Sequence, residues 1–214
     1  MKKFFVAIMA VLFSAPSFAQ YSSGGFSLSE SSVYYGIRLG MNISSLTGDD
    51  MPATHKGSKV GLNFAPVIGL RVSDTTPIFL ESGLYYAGAG SKKDKNSVSL
   101  NYLEIPILIK YGIQATDEIA VLPFIGPTVR WGIFGGDTKT AGYENVGSFS
   151  DDNPHKAKRT DFGIKLGCGA EYNKLYLELG YHWGITNIAD WKVNATDDAV
   201  IHNGAFFINL GMNF

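Results

Sequence analysis

Four histidines are the side chains of this 214-residue sequence best suited to move a proton or bind a metal: His55, His155, His182 and His202. The chemistry in question would be His182 or His202 activating a serine against an acyl chain, as a lipid-modifying enzyme would require. No spacing in the sequence joins either histidine to a serine and an acid, so no catalytic residue is assigned. Asp151-Asp152 and Asp197-Asp198 are hard oxygen pairs of the kind Ca²⁺ takes, but as isolated pairs in polar stretches they read as solvated loop charge. Gly135-Gly136-Asp137 opens no helix that could cradle a phosphate. Cys168 is the sole cysteine, which excludes an internal disulfide and a cysteine-based zinc site. The expectation is a protein without cofactor, metal or catalytic centre.

A second group of chemically able residues is periodic. Arg38, Arg71, Lys110, Arg130 and Lys165, with Glu81, Glu104, Glu171 and Glu178, each fall on alternate positions of a segment whose other face is apolar. Residues 175–185 show the pattern best: Leu175, Leu177, Leu179, Tyr181, Trp183 and Ile185 share one face, and Tyr176, Glu178, Gly180, His182 and Gly184 the other. Period-2 alternation marks a strand. It recurs over 33–44, 60–72, 78–86, 102–111, 119–133, 162–172 and 206–214, giving eight strands. None of their apolar faces carries a charge.

Two arrangements suit such strands. In a soluble barrel the apolar face points inward, but an eight-stranded barrel holds little more than its own side chains or one small ligand. It has no room for eight strands' worth of large aliphatic and aromatic groups. The opposite arrangement, apolar outward and polar inward, is the transmembrane β-barrel. The fold expected is therefore all-β: an eight-stranded antiparallel up-and-down barrel over 33–214. Its charges would form a lumen network with His182, and Cys168 would face lipid. Glycine, at 25 residues, falls often on the inward face and leaves room there for long side chains.

The connections read as 45–59, 73–77, 87–101, 112–118, 135–161, 173–174 and 186–204, long alternating with short, as extracellular loops and periplasmic turns do. Outward aromatics form two levels: Tyr86, Trp131, Tyr181, Trp183 and Phe206 at one rim, Tyr35, Tyr111, Tyr172 and Phe214 at the other. Rings at both interfaces suit a bilayer. Pro66, Pro106, Pro123 and Pro127 lie inside strands of a barrel that has no free edge, and bulges are the expected accommodation.

Upstream, Lys2 and Lys3 precede a ten-residue apolar run, and Ser17-Phe18-Ala19 offers a small-residue cleavage site. Residues 1–19 read as a secretory signal peptide and 20–32 as a periplasmic lead segment. Ten residues at 1.5 Å each span only about half a hydrocarbon core, too little for an anchor. The formal net charge is −1, and charged residues make up 17% of the chain. With no basic stripe, no nucleic-acid partner is expected.

The residues Tyr35-Gly36-Ile37-Arg38-Leu39-Gly40-Met41-Asn42-Ile43-Ser44 resemble the opening strand of the PorT-like outer-membrane barrels common in Bacteroidota. Tyr102-Leu103-Glu104-Ile105-Pro106-Ile107-Leu108-Ile109-Lys110-Tyr111 resembles that family's fourth strand. Leu210, Met212 and the terminal Phe214 resemble the signal read by the barrel-assembly machinery, which the resemblance implies as a partner during biogenesis, alongside outer-membrane lipid. The family's motifs imply barrel type rather than activity; one branch serves a protein-secretion apparatus. The expectation is a non-enzymatic outer-membrane protein, structural or binding through extracellular loops, with an unidentified extracellular or secretion-system partner. A narrow porin is the alternative and a lipid-modifying enzyme the third reading. Wide aqueous channels need about 16 strands, so eight favour a lumen plugged by its own ion pairs.

Overall fold

The computed structural model describes residues 33–214 apart from positions 52, 74, 135 and 196. The signal peptide and lead segment expected over 1–32 lie outside the described residues. The strands are β1 (Val33–Thr47), β2 (Ser58–Arg71), β3 (Ile78–Gly83), β4 (Tyr85–Lys93), β5 (Asn96–Tyr111), β6 (Ile113–Gln114), β7 (Ile119–Gly132), β8 (Asp137–Lys139), β9 (Val146–Gly147), β10 (Thr160–Tyr172), β11 (Leu175–Gly184) and β12 (His202–Asn213). All pairings are antiparallel. The ring runs β1, β2, β3 continued by β4, β5, β7, β10, β11, β12, and closes where β12 pairs β1 from Gly36↔Asn213 to Thr47↔His202. These are eight staves. The short β6, β8 and β9 lie outside the ring proper.

Alternation assigns the faces. Leu39, Leu62 and Leu210 expose 62%, 67% and 66% of their surface, while Arg38, Glu104 and Lys110 expose none. Water-soluble folds reverse that ordering, because apolar patches of such extent do not persist in water. Outside apolar and inside charged is the solution for a barrel solvated by hydrocarbon. The rim aromatics are outward as expected: Trp131 and Tyr86 flank Leu103 from the two strands beside β5, and Tyr181 sits beside Phe206. Cys168 faces outward, half-buried.

Three sequence expectations are corrected. The span 87–101 is not a loop. β4 and β5 continue through it as a hairpin that turns at Asp94-Lys95, with Asp94 in the left-handed region at φ 52°. The regular alternation of long and short connections therefore fails at this hairpin. Next, β12 starts at His202, which is a strand residue rather than a loop residue. Finally, the prolines need no bulge. Val67↔Gly83 and Phe64↔Tyr86 flank Pro66 in a single register, as Ser82↔Ile107 and Tyr85↔Glu104 flank Pro106. Pro66 lacks the N–H to return the bond that Leu84 N–H makes to its carbonyl (3.1 Å), so the stave breaks at Leu84 without changing parity. Pro123 and Pro127 also sit in register, opposite Cys168 and Ile164.

Candidate functional site

Strand register brings the inward charges into two clusters stacked along the barrel. Nearer the short turns, Glu81 is the hub. It accepts from Tyr34 Oη (2.7 Å) and Arg38 Nη2 (3.0 Å), and Lys110 Nζ lies 2.7 Å from its other oxygen. Lys110 also donates to Tyr176 Oη (2.8 Å) and stands 3.7 Å from Glu178, whose carboxylate accepts from Asn209 Nδ2 (2.8 Å). The Arg38 guanidinium lies 4.1 Å over the Tyr176 ring. Glu171, lower still, accepts from Asn213 Nδ2 at 2.7 Å.

Towards the long loops, Glu104 is the second hub, paired with Arg130 Nε at 2.5 Å and with Lys165 Nζ. His182, the register partner of Lys165, places Nε2 3.0 Å from Thr128 Oγ1. Asn42, Asn63 and Asn209 form an amide chain that runs from Glu178 of the first cluster to the Gly88 carbonyl of β4. Eight of the nine charges expected in the lumen are thus buried, exposing between 0% and 4%. The exception is Arg71. It is half-buried at the turn-end mouth, where Nε donates to the Ser73 carbonyl at 2.9 Å.

One buried charge went unread in the sequence. Asp161 is fully buried beneath the loops, with Oδ2 4.0 Å from Arg130 Nη1. It carries the same parity as Lys165 and Glu171, and extending β10 by one pair of residues would have found it. The inward glycines do what small residues on that face should. A Cβ at Gly69 would fall 2.0 Å from the Tyr34 ring, and one at Gly169 2.0 Å from Tyr176 Oη. These rings lie flat across the lumen because glycine leaves the space.

The long loops are not splayed. Leu46, Met51, Leu100, Phe149, Ile188 and Ile201 share a buried apolar cluster that closes this end of the barrel. Backbone bonds tie loop 133–159 to loop 185–201: Lys158 N–H to Ile188 O (2.7 Å) and Asp190 N–H to Lys156 O (2.9 Å). Lys156 Nζ bridges Asp151 and Asp190, each at 2.9 Å. These partners hold the Asp151 carboxyl below, and the Lys156 ammonium above, their ordinary ranges. Asp50 caps the Val200 N–H from the first loop (2.9 Å). Asp197 accepts from Asn194, so both aspartate pairs spend at least one carboxylate on local loop structure.

Inside this cap lies a pocket of about 260 Å³. His55 borders it, with Nδ1 3.2 Å from Thr54 Oγ1 and Nε2 3.4 Å from Thr140 Oγ1. Burial pushes its imidazole below the ordinary value of 6.5; a backbone hydrogen bond to Lys139 opposes the shift and the His155 ring adds to it. Lys139, His155 and Lys156 are the ionisable neighbours. Because the neutral form is favoured only in the folded cap, stability is full above pH 6.5. It declines as pH falls below that value, until the folded form also protonates. Methyl NMR signals of Met51 and Ile188 should broaden as pH falls below 6.5, and His55→Asn should flatten that dependence.

His155 stacks edge-on against Trp191, 4.7 Å between centroids. His202 Nδ1 lies 3.2 Å from the Thr186 carbonyl. His55 and His155 thus share the cap pocket, while His182 and His202 lie apart from them, and each of the four has a structural neighbour. The outward Leu210 and Met212 alternate along β12, and Phe214, just past its end, exchanges backbone hydrogen bonds with Tyr35 at the closing seam.

Against known proteins, the chain is similar to several solved outer-membrane barrels. One is the attachment invasion locus protein Ail of Yersinia pestis, solved alone and with the heparin analogue sucrose octasulfate (10% identity, 86% of this chain and 100% of that one, TM-score 0.43). Another is Neisserial surface protein A (13% identity, 86% and 98%, TM-score 0.47). A third is OprG of Pseudomonas aeruginosa (12% identity, 85% and 95%, TM-score 0.38). A search of curated proteins found no match. The family described as outer membrane protein beta-barrel domain matches residues 18–190. The inverted polarity, the closed ring of eight staves and this match lead to one conclusion: the chain belongs to the outer membrane protein β-barrel domain family and resides in the outer membrane.

Proposed function

We propose that this protein is a non-enzymatic outer-membrane barrel with a closed lumen, which acts through its loop-end cap as a structural or binding element, accessory to a secretion or uptake system. One observation carries the reading: the lumen ions pair with one another and are sealed from water. A conducting pore would leave Arg38, Lys110 and Glu104 wetted, yet they expose none of their surface. The narrow-porin alternative has no comparable support. The lipid-modifying alternative needs His182 or His202 beside a serine and an acyl chain; His182 is fully buried against Thr128, and the named partner of His202 is the Thr186 carbonyl. A PorT-like affiliation within the family is supported by the strand motifs at 35–44 and 102–111. In outer-membrane barrels the longer loops face the exterior, which would place the cap outside the cell.

Purified protein in a planar lipid bilayer is expected to give no steady conductance above background. Reproducible channels of uniform size would overturn the closed lumen and select the porin.

A further inference from the structure

We propose that the pocket within the cap is a binding site for a small, uncharged aromatic molecule. This assignment rests on the reading that the cap is the working end of the protein. Its volume, about 260 Å³, is far beyond the water-sized voids of ordinary interiors. A dry apolar cavity of about 150 Å³ suffices for benzene, so this one suits a fused bicycle.

The walls come from well-separated parts of the chain. Met51 belongs to the first loop, Leu100 to β5, Ala157 to loop 133–159, and Ile188, Trp191 and Ile201 to the last loop and its end. They are apolar, and the polar groups around them are already engaged. Lys156, the one cation on the wall, is neutralised by Asp151 and Asp190. His55 lies between two threonine hydroxyls. With that charge already compensated, the pocket offers an anion or a cation little, and the occupant that matches it is neutral. The edge-on His155–Trp191 pair supplies aromatic surface at the wall, which favours a flat ring over a flexible chain.

The probe is indole, titrated into full-length protein in nanodiscs carrying ¹³C-labelled isoleucine methyl groups. Ile188 and Ile201, in the pocket, should shift and saturate in the micromolar-to-millimolar range. Ile37 and Ile208, on the lipid face, should show only the linear drift of indole partitioning into lipid. Filling the pocket with Ala189→Phe should weaken saturation at least tenfold, and Ala157→Leu gives the same test through a smaller change. If Ile188 and Ile201 fail to saturate in the unaltered protein, or saturate equally in both filled variants with their barrel methyl spectra intact, the assignment is wrong. Neither result touches the closed-lumen reading, which fails separately if the protein conducts.

Discussion

Replacing Glu104 with glutamine is expected to destabilise the barrel by about 3–5 kcal/mol, the range for stranding a buried charge by removing its partner. Glu104 is fully buried and holds two cations, Arg130 and Lys165. Glutamine keeps the shape and loses the charge, leaving both cations in a water-excluded lumen. Asp161 is the nearest other carboxylate to Arg130, but at 4.0 Å it compensates weakly. Lys165 keeps the faces of Tyr85 and Phe207, 4.5 and 4.8 Å away, which carry no full charge. Urea titration in lipid, followed by tryptophan fluorescence, measures the loss. Two controls separate charge from general damage. Glu118→Gln, in an exposed turn, should stay within about 0.5 kcal/mol of the parent. Lys165→Met added to Glu104→Gln should recover part of the loss, because it removes one stranded cation. A Glu104→Gln barrel as stable as the parent would mean that water reaches these ions, and the closed lumen would fall with it.

The faces were legible in the sequence because a strand's period is 2, and a barrel solvated by lipid outside and ions inside leaves no position ambiguous. Leu175 to Gly184 could be assigned residue by residue, and from there Glu178 and His182 had to point inward. What alternation cannot give is partner choice. Glu81 meets both Arg38 and Lys110 because β3 lies between β2 and β5, and the long side chains cross the lumen; Glu104 meets Arg130 because β5 pairs β7 in one register. The hairpin of β4 and β5 was hidden for a different reason. Ala87-Gly88-Ala89-Gly90-Ser91 has weak strand propensity, yet all five are buried on both faces. Asn42 Nδ2 donates to Gly88 O and Ser44 Oγ to Gly90 O, so β1 approaches β4 across a stretch that only small residues permit. The cap is a tertiary product of the same kind. Nothing in the spacing of Lys156, Asp151 and Asp190 announces their bridge, and nothing near Met51 foretells Ile188 beside it. Sequence patterning specified the wall of the barrel, while its contents and lid depend on pairings across long stretches of chain.

Leu179→Arg is expected to cost about 2–4 kcal/mol of barrel stability, the penalty for a cation at the middle of the bilayer on the lipid side. Leu179 faces outward and half-exposed on β11, level with Cys168 on one neighbouring strand and Ile208 on the other. The loop-end rings start one outward position further along, at Tyr181 and Phe206, and the turn-end rings lie at Tyr172 and Phe214, so all three sit between the two levels. An arginine there must either remain in hydrocarbon or reach along the barrel wall to a headgroup. The cost should depend on depth. Ile185→Arg, exposed just past the loop end of the same strand, should cost only about 0–1 kcal/mol, because its guanidinium reaches the interface directly. Glu178→Gln, the next residue in sequence but on the lumen face, should carry no lipid penalty. Its effect should instead follow the loss of the more distant of Lys110's two carboxylates, at 3.7 Å against 2.7 Å for Glu81. Lys110→Met in the same chain should relieve it by leaving Arg38 and Glu81 as a balanced pair. Urea titrations of the three single variants in one lipid, repeated in a thinner bilayer, provide the measurement. The Leu179→Arg penalty should shrink with thickness while the Glu178→Gln effect stays fixed. Equal costs for Leu179→Arg and Ile185→Arg, unmoved by bilayer thickness, would show that the apolar face does not meet hydrocarbon, and the inside-out polarity from which the membrane barrel was deduced would have to be abandoned.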